Sequence, residues 1–178
     1  SCVLCDLGDG MRRLTERLLA TGPKSVLYLD GSPGVYSLDV RREAFSEAVR
    51  CYRESGHDIV TRTISIPSGD YFSAERAVAG LGELPDAIVS VNDFMALGVV
   101  NHLTSRGISV PDRVQVTGFD DCVFAVSSPV PLTTVRQDIG IHAEKTVALL
   151  KRKLSGETSD REVILIPTDV VTRRSTKK

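Results

Sequence analysis

Residues 87–121 read AIVSVNDFMALGVVNHLTSRGISVPDRVQVTGFDD. The stretch opens on a short apolar run rich in β-branched residues, which turns at Asn92-Asp93. A helix-period segment follows over 92–107, with Gly107 placed to end it. A second β-rich run, 113–119, stops at Gly118-Phe119 and two adjacent carboxylates, Asp120 and Asp121. The same alternation extends upstream. SVLYLD (25–30) and DIVTRTISI (58–66) read as strands. LDVRREAFSEAVRCYRESG (38–56) is amphipathic, with Val40, Ala44, Phe45, Ala48, Val49 and Tyr52 on one broad face and Gly56 as its stop. YFSAERAVAGLG (71–82) reads as a helix, and GDGMRRLTERLLATG (8–22) as another after the short strand VLC. Strands alternating with helices over short connections predict an α/β fold, a three-layer parallel sheet with helices on both faces.

The pattern changes after Asp121. Residues 123–138, VFAVSSPVPLTTVRQD, are irregular and rich in Pro and Ser, with LTTV as a short extended piece. IGIHAEKTVALLKRKLSG (139–156) is a clear amphipathic helix. A polar SDR link leads to VILIPTDVVTRR, two short strands split by Pro167. Residues 132–156 thus look like an excursion, and 157–178 like a return.

An apolar fraction of 42%, a charged fraction of 25% and a net charge of −1 describe an ordinary globular domain. No basic stripe suits nucleic acid. The basic tail TRRSTKK reads as a short solvated terminus. No apolar run approaches the roughly 20 residues of a membrane span, and no signal peptide opens the chain. Cys2 and Cys5 form a C-x-x-C, but SCVLC also reads as a strand, whose positions three apart face opposite ways. With no second such pair, free thiols in a cytosolic protein are expected.

A parallel sheet gives the acids a location, because ligands of such sheets sit beyond the carboxyl ends of the strands. Those ends carry Asp30-Gly31-Ser32, Pro67-Ser68-Gly69-Asp70, Asn92-Asp93 and Asp120-Asp121, with Tyr36, Tyr71, Phe72 and Phe119 nearby. Each has an ordinary structural reading. Asn92 or Asp93 suits an N-cap, and Asp120-Asp121 a cap or turn. Arg41 on its helix suits a solvated charge, and Tyr71 helix-start packing. Their convergence on one edge favours a polar, non-catalytic pocket for a polyhydroxylated or nucleoside-like ligand, since carboxylates, amides and Arg forks match paired hydroxyls. No glycine-rich phosphate loop and no nucleophile–histidine arrangement is present, so no catalytic residue, metal or cofactor is assigned.

The quoted stretch, followed by PVPLTTVRQD and preceded by RREAF and the spaced Asp6, Gly10, Leu18 and Gly22, resembles the lactose/galactose repressor (LacI/GalR) family of bacterial transcription regulators. The resemblance covers almost the whole chain. It implies the type I periplasmic-binding-protein-like fold, in which two α/β lobes close on a ligand behind a DNA-binding helix-turn-helix and a hinge helix. This chain would be mainly the C-terminal lobe: 1–131 as that lobe with an entry segment, 132–156 as a crossover belonging to the N-terminal lobe, and 157–178 as return strands and tail. By the same resemblance Asp120 binds effector hydroxyls, Asn92 is its amide partner, Arg41 reaches the ligand and Tyr71 stacks on it. Asp93 and Asp121 take structural, capping roles, and Ile139 stands where a ligand-facing aromatic is common.

The partners expected are a small sugar-like effector and a second copy of the chain. The helix after Asn92 carries more apolar residues than one sheet-facing stripe needs, so 94–103 and 123–130 predict a homodimer. Operator DNA would be bound only by the full-length, cytoplasmic regulator, since the chain is expected to be a piece lacking the helix-turn-helix, the hinge and most of the N-terminal lobe. The stripe Ile139, Ala143, Val147 and Leu150 is expected to need a partner. Two other readings stay open: a solute-binding protein of a sugar transport system, and an enzyme holding Mg²⁺ with Asp30, Asp93, Asp120 and Asp121.

Overall fold

The computed structural model describes residues 1–157 and 161–178; Ser159 and Asp160, read as part of the polar link, lie outside them. The chain runs β1 (Cys2–Cys5), α1 (Leu7–Leu19), β2 (Ser25–Asp30), α2 (Tyr36–Glu54), β3 (Val60–Ser65), α3 (Tyr71–Ala79), β4 (Ala87–Ser90) and α4 (Asp93–Ser105). It continues through β5 (Gln115–Thr117), α5 (Val123–Ser127), β6 (Thr134–Arg136), α6 (Ile139–Leu154), β7 (Val163–Ile166) and β8 (Asp169–Val171).

Four strands form the main sheet in the order β3-β2-β4-β5, and every pairing in it is parallel. Strand order and handedness then fix the layers. Right-handed crossovers place α2, which leads from β2 outward to β3, on one face. They place α3 and α4, which lead the other way, on the opposite face. The Tyr28 ring stacks on Phe45 of α2 at 4.5 Å, while α1 packs on α2 and α3 on α4. The central strands read AIVS and SVLYLD because both their faces are covered. The order reverses between β2 and β4, which is where an open α/β sheet offers its ligand crevice.

Caps set the helix starts along this edge. Asp70 accepts from the Ser73 amide at 2.9 Å and Asn92 from the Met95 amide at 2.7 Å. Gly98 lets α4 approach α3 closely: a Cβ there would stand 2.4 Å from the Tyr71 carbonyl oxygen.

Three expectations change. The segment 123–138 is not wholly irregular, because five residues form α5 and Ala125 buries beneath it. The two terminal strands do not return together. β7 pairs with β1 in a separate parallel sheet, and only β8 comes back, antiparallel to β6. The tail is not a solvated terminus. Arg173 Nη1 donates to the Leu132 carbonyl at 2.9 Å, Ser175 Oγ donates to the Val116 carbonyl at 2.6 Å, and Ser175 and Thr176 are buried. The Ser175 bonds to Val116 fill edge positions that β5 would otherwise leave open.

α6 packs against β1 and β7 with Leu149 buried. The expected stripe of Ile139, Ala143, Val147 and Leu150 stays exposed. All four cysteines are free. No helix among the described residues is long and apolar enough to cross a membrane.

Candidate functional site

The loop after β5 carries the backbone that orders this edge. Among the described residues, Asp120 and Asp121 are the non-glycine residues with positive φ, at 111° and 51°. Such angles cost free energy and persist only where neighbours hold them. The neighbours are identifiable. The Asp120 amide donates to the Val135 carbonyl at 2.9 Å, tying the loop to β6. Gln137 Nε2 donates to Asp120 Oδ1 at 2.7 Å, and Arg41 Nη2 reaches the same oxygen at 3.3 Å. The Asp120 side chain still keeps 37% of its surface exposed.

Arg41 is not the solvated helix charge its sequence position suggested. It is buried, with its guanidinium 3.8 Å from the centre of the Phe119 ring and Nη1 donating to the Val91 carbonyl at 2.6 Å. Burial lowers its pKa, partly offset by Asp120, but a guanidinium remains charged. Burial likewise raises the Asp120 pKa, against Arg41 and the Gln137 hydrogen bond, which lower it.

The structural acids divide differently from the sequence reading. Asn92 caps α4, and its Nδ2 donates to the Gly69 carbonyl at 3.1 Å, joining the loops after β3 and β4. Asp93 points inward and is fully buried. Its Oδ1 accepts from Thr134 Oγ1 at 2.6 Å and its Oδ2 from the Cys122 amide at 2.9 Å. Burial pushes its pKa up to about 6, despite these two hydrogen bonds and with help from the nearby Asp120 charge. Asp121 is held by two arginines, Arg173 at 2.6 Å and Arg136 at 2.7 Å, so it fixes the loop to the tail and to β6. Tyr71, the first residue of α3, packs against α4: its hydroxyl accepts from Asn101 Nδ2 at 2.9 Å, and its ring meets Phe72 edge-on at 5.0 Å.

A cleft of about 480 Å³ opens between this edge and the small unit of β1, β7 and α6. Asp120, Asp121, Gln137, Tyr36, Ser37 and His142 supply polar groups, and Leu4, Leu7 and Ile139 apolar surface. Of the four residues singled out from sequence, Asp120 lines the cleft and Arg41 backs it directly. Asn92 and Tyr71 are not among the lining residues. Gln137 was missed, although it lies in the quoted VRQD. Its role needs the β6 crossover to lie beside Asp120, which no local pattern announces. Arg173, the Asp121 partner, was missed because tail charges are usually solvated.

The acids do not pool their charge. Asp30 is bound by Arg42, Asp121 by two arginines and Asp120 by Arg41. Among the described residues no three His, Cys, Asp or Glu side chains are grouped to hold a metal ion.

Residues 15–176 match the family described as periplasmic binding protein-like domain. The HTH-type transcriptional regulator CelR of Thermobifida fusca is 29% identical over 180 residues, covering 96% of this chain and 50% of CelR. A structure of the CelR–cellobiose complex superposes with a TM-score of 0.84 at 25% identity, covering 97% of this chain and 53% of that one. The lactose operon repressor of Rhizobium radiobacter is 34% identical over 107 residues, covering 60% of this chain and 94% of that sequence. A lac repressor dimer bound to operator and the anti-inducer ONPF superposes with a TM-score of 0.83 at 26% identity, covering 98% of this chain and 60% of that one. The chain spans about half the length of CelR. With its parallel sheet, its ligand edge and these relatives together, the chain belongs to the periplasmic-binding-protein-like family, in its LacI-type regulator branch.

Proposed function

We propose that this chain is the effector-sensing part of a LacI-type bacterial transcriptional regulator, and that it binds a small polyhydroxylated ligand, sugar or nucleoside-like, without turning it over. The carrying observation is Asp120. A partly exposed carboxylate is held at φ 111° on a cleft wall by Arg41 and Gln137. A carboxylate with one oxygen engaged and the cleft before it accepts well from vicinal hydroxyls. Arg41 orients it from behind, and Tyr36 offers an exposed ring for the apolar face of a sugar. Asn92 acts at second remove, by setting the loop after β3 through Gly69. Tyr71 braces α3 on α4.

The small unit of β1, α6 and β7 is, on this reading, part of a second lobe, so the cleft lies between lobes. The regulator acts in the cytoplasm as a homodimer, and operator DNA is contacted by other segments of the full-length protein. The dimer face is narrower than the sequence suggested. Met95, Val99, Val100 and Leu103 of α4 are buried in the chain's own fold, between the sheet, α3 and α5. What remains exposed is Phe94, Val123, Phe124 and Val126, with the Phe94 and Phe124 rings 5.4 Å apart. Ligand binding between lobes biases this dimer toward or away from a DNA-competent geometry.

A thermal-shift screen of sugars and nucleosides on the regulator carrying this chain tests the ligand class. A saturable stabilisation by at least one of them is expected. Stabilisation by none of them would rule out the hydroxyl-binding role.

A further inference from the structure

We propose a second ligand site at the opposite, amino-terminal edge of the main sheet, built for a small amphipathic anion: a carboxylate on an aryl or branched-alkyl body. A cavity of about 310 Å³ opens there, within the size range of small-molecule sites, which start at roughly 300 Å³. It owes its existence to the shortness of α3. That helix stops at Ala79, and the chain over 80–86 loops back to β4 with Val26 and Leu27 buried but Val60, at the start of β3, left exposed. In the β2–β3 register Ser25 pairs with Val60 and Leu27 with Arg62. Alternation places all four on one face, the one turned away from α2, since Tyr28 takes the α2 side.

The floor is apolar. Leu27 and Val60 come from the sheet, and Leu81, Leu84 and Pro85 from the loop. Val60, on edge strand β3, is 61% exposed and leaves the outer part of this floor open to solvent. The rim is charged. Lys24 and Arg62 line the cavity, and neither side chain pairs with a carboxylate among the described residues. Arg62 alone would serve as edge protection against strand pairing. That role does not call for Lys24 on the neighbouring strand's approach, nor for a hollow beneath both. Glu83 also stands on the rim, leaving one net positive charge. An apolar floor with two unpaired cations above it complements a ligand whose hydrophobic body carries one negative charge. The site lies at the opposite ends of the strands from Asp120, so it stands or falls independently of the effector reading.

The probe is 3-phenylpropanoate, with neutral 3-phenylpropanol as control, titrated calorimetrically into the chain. Saturable binding of the acid is expected, with the alcohol at least tenfold weaker. Lys24→Gln and Arg62→Gln each weaken the acid at least fivefold. Glu83→Gln, which removes a repelling charge, tightens it two- to fivefold. No saturable binding overturns the proposal. So does an alcohol that binds as tightly as the acid, or indifference to Arg62→Gln. These outcomes do not depend on fold-threatening changes, because Lys24, Arg62 and Glu83 are all exposed.

Discussion

At Asp93, burial and hydrogen bonding pull in opposite directions, and burial wins: the carboxyl reaches about 6, against 3.8 for the free group. The consequence for stability has a definite sign. A group whose folded pKa is raised stabilises the fold fully below its unfolded value, and that contribution is lost as pH rises through about 6. Asp93→Asn has no such titration. Its amide keeps the hydrogen bonds of the protonated acid, with Oδ1 accepting from the Cys122 N–H and Nδ2 donating to the Thr134 hydroxyl, so it matches the parent most closely at pH 4. The variant should gain on the order of 3 kcal/mol over the parent between pH 4 and pH 8, as read from urea unfolding at both values. A difference between the two that does not change with pH would contradict the burial argument. Gly118 reports on the same packing. A Cβ there would stand 2.1 Å from Asp93 Oδ1, and Asp93 is held on both oxygens. Gly118→Ala should therefore cost about 1–3 kcal/mol by overpacking. Little of this was legible beforehand. The sequence reading expected Asp93 to cap and Asn92 to bind, because both types suit an N-cap and only packing decides which one turns inward.

Elements were more readable than residues. The strands at 25–30 and 87–90 and the helices at 36–54, 93–105 and 139–154 emerge where periodicity and terminal signals agree. Their parallel order followed from alternation alone. What failed was information held at long range. β7 joining β1, Arg173 reaching Asp121 and Gln137 reaching Asp120 each connect segments that no local window contains. α4 offers a test in which two local rules oppose each other. Gly98 is a mid-helix glycine, so Gly98→Ala should gain about 1 kcal/mol of helix propensity. Yet the new methyl meets the Tyr71 carbonyl at 2.4 Å, backbone that cannot rotate away. Overpacking of about 1–3 kcal/mol outweighs the propensity gain. Thermal unfolding should show Gly98→Ala destabilised, whereas alanine at the exposed, contact-free Gly82 should be neutral within about 0.5 kcal/mol.

At the scale of the molecule, two exposed apolar surfaces bear on assembly. One is the Phe94, Val123, Phe124 and Val126 face, proposed for the dimer. Phe124→Glu places a charge in its centre and should convert sedimentation from dimer to monomer, with far-ultraviolet circular dichroism unchanged. A dimer that survives would move the interface elsewhere. The other is the exposed stripe of α6, Ile139, Val147 and Leu150, which the lobe assignment proposed above would turn toward further chain of the regulator. The central claim, however, concerns the ligand edge. It is tested most directly by operator binding of the full regulator, titrated with effector, for the parent and for Asp120→Ala. The account predicts that Asp120→Ala binds operator with parental affinity and needs at least tenfold more effector for the same response. A parental effector response in Asp120→Ala would contradict it.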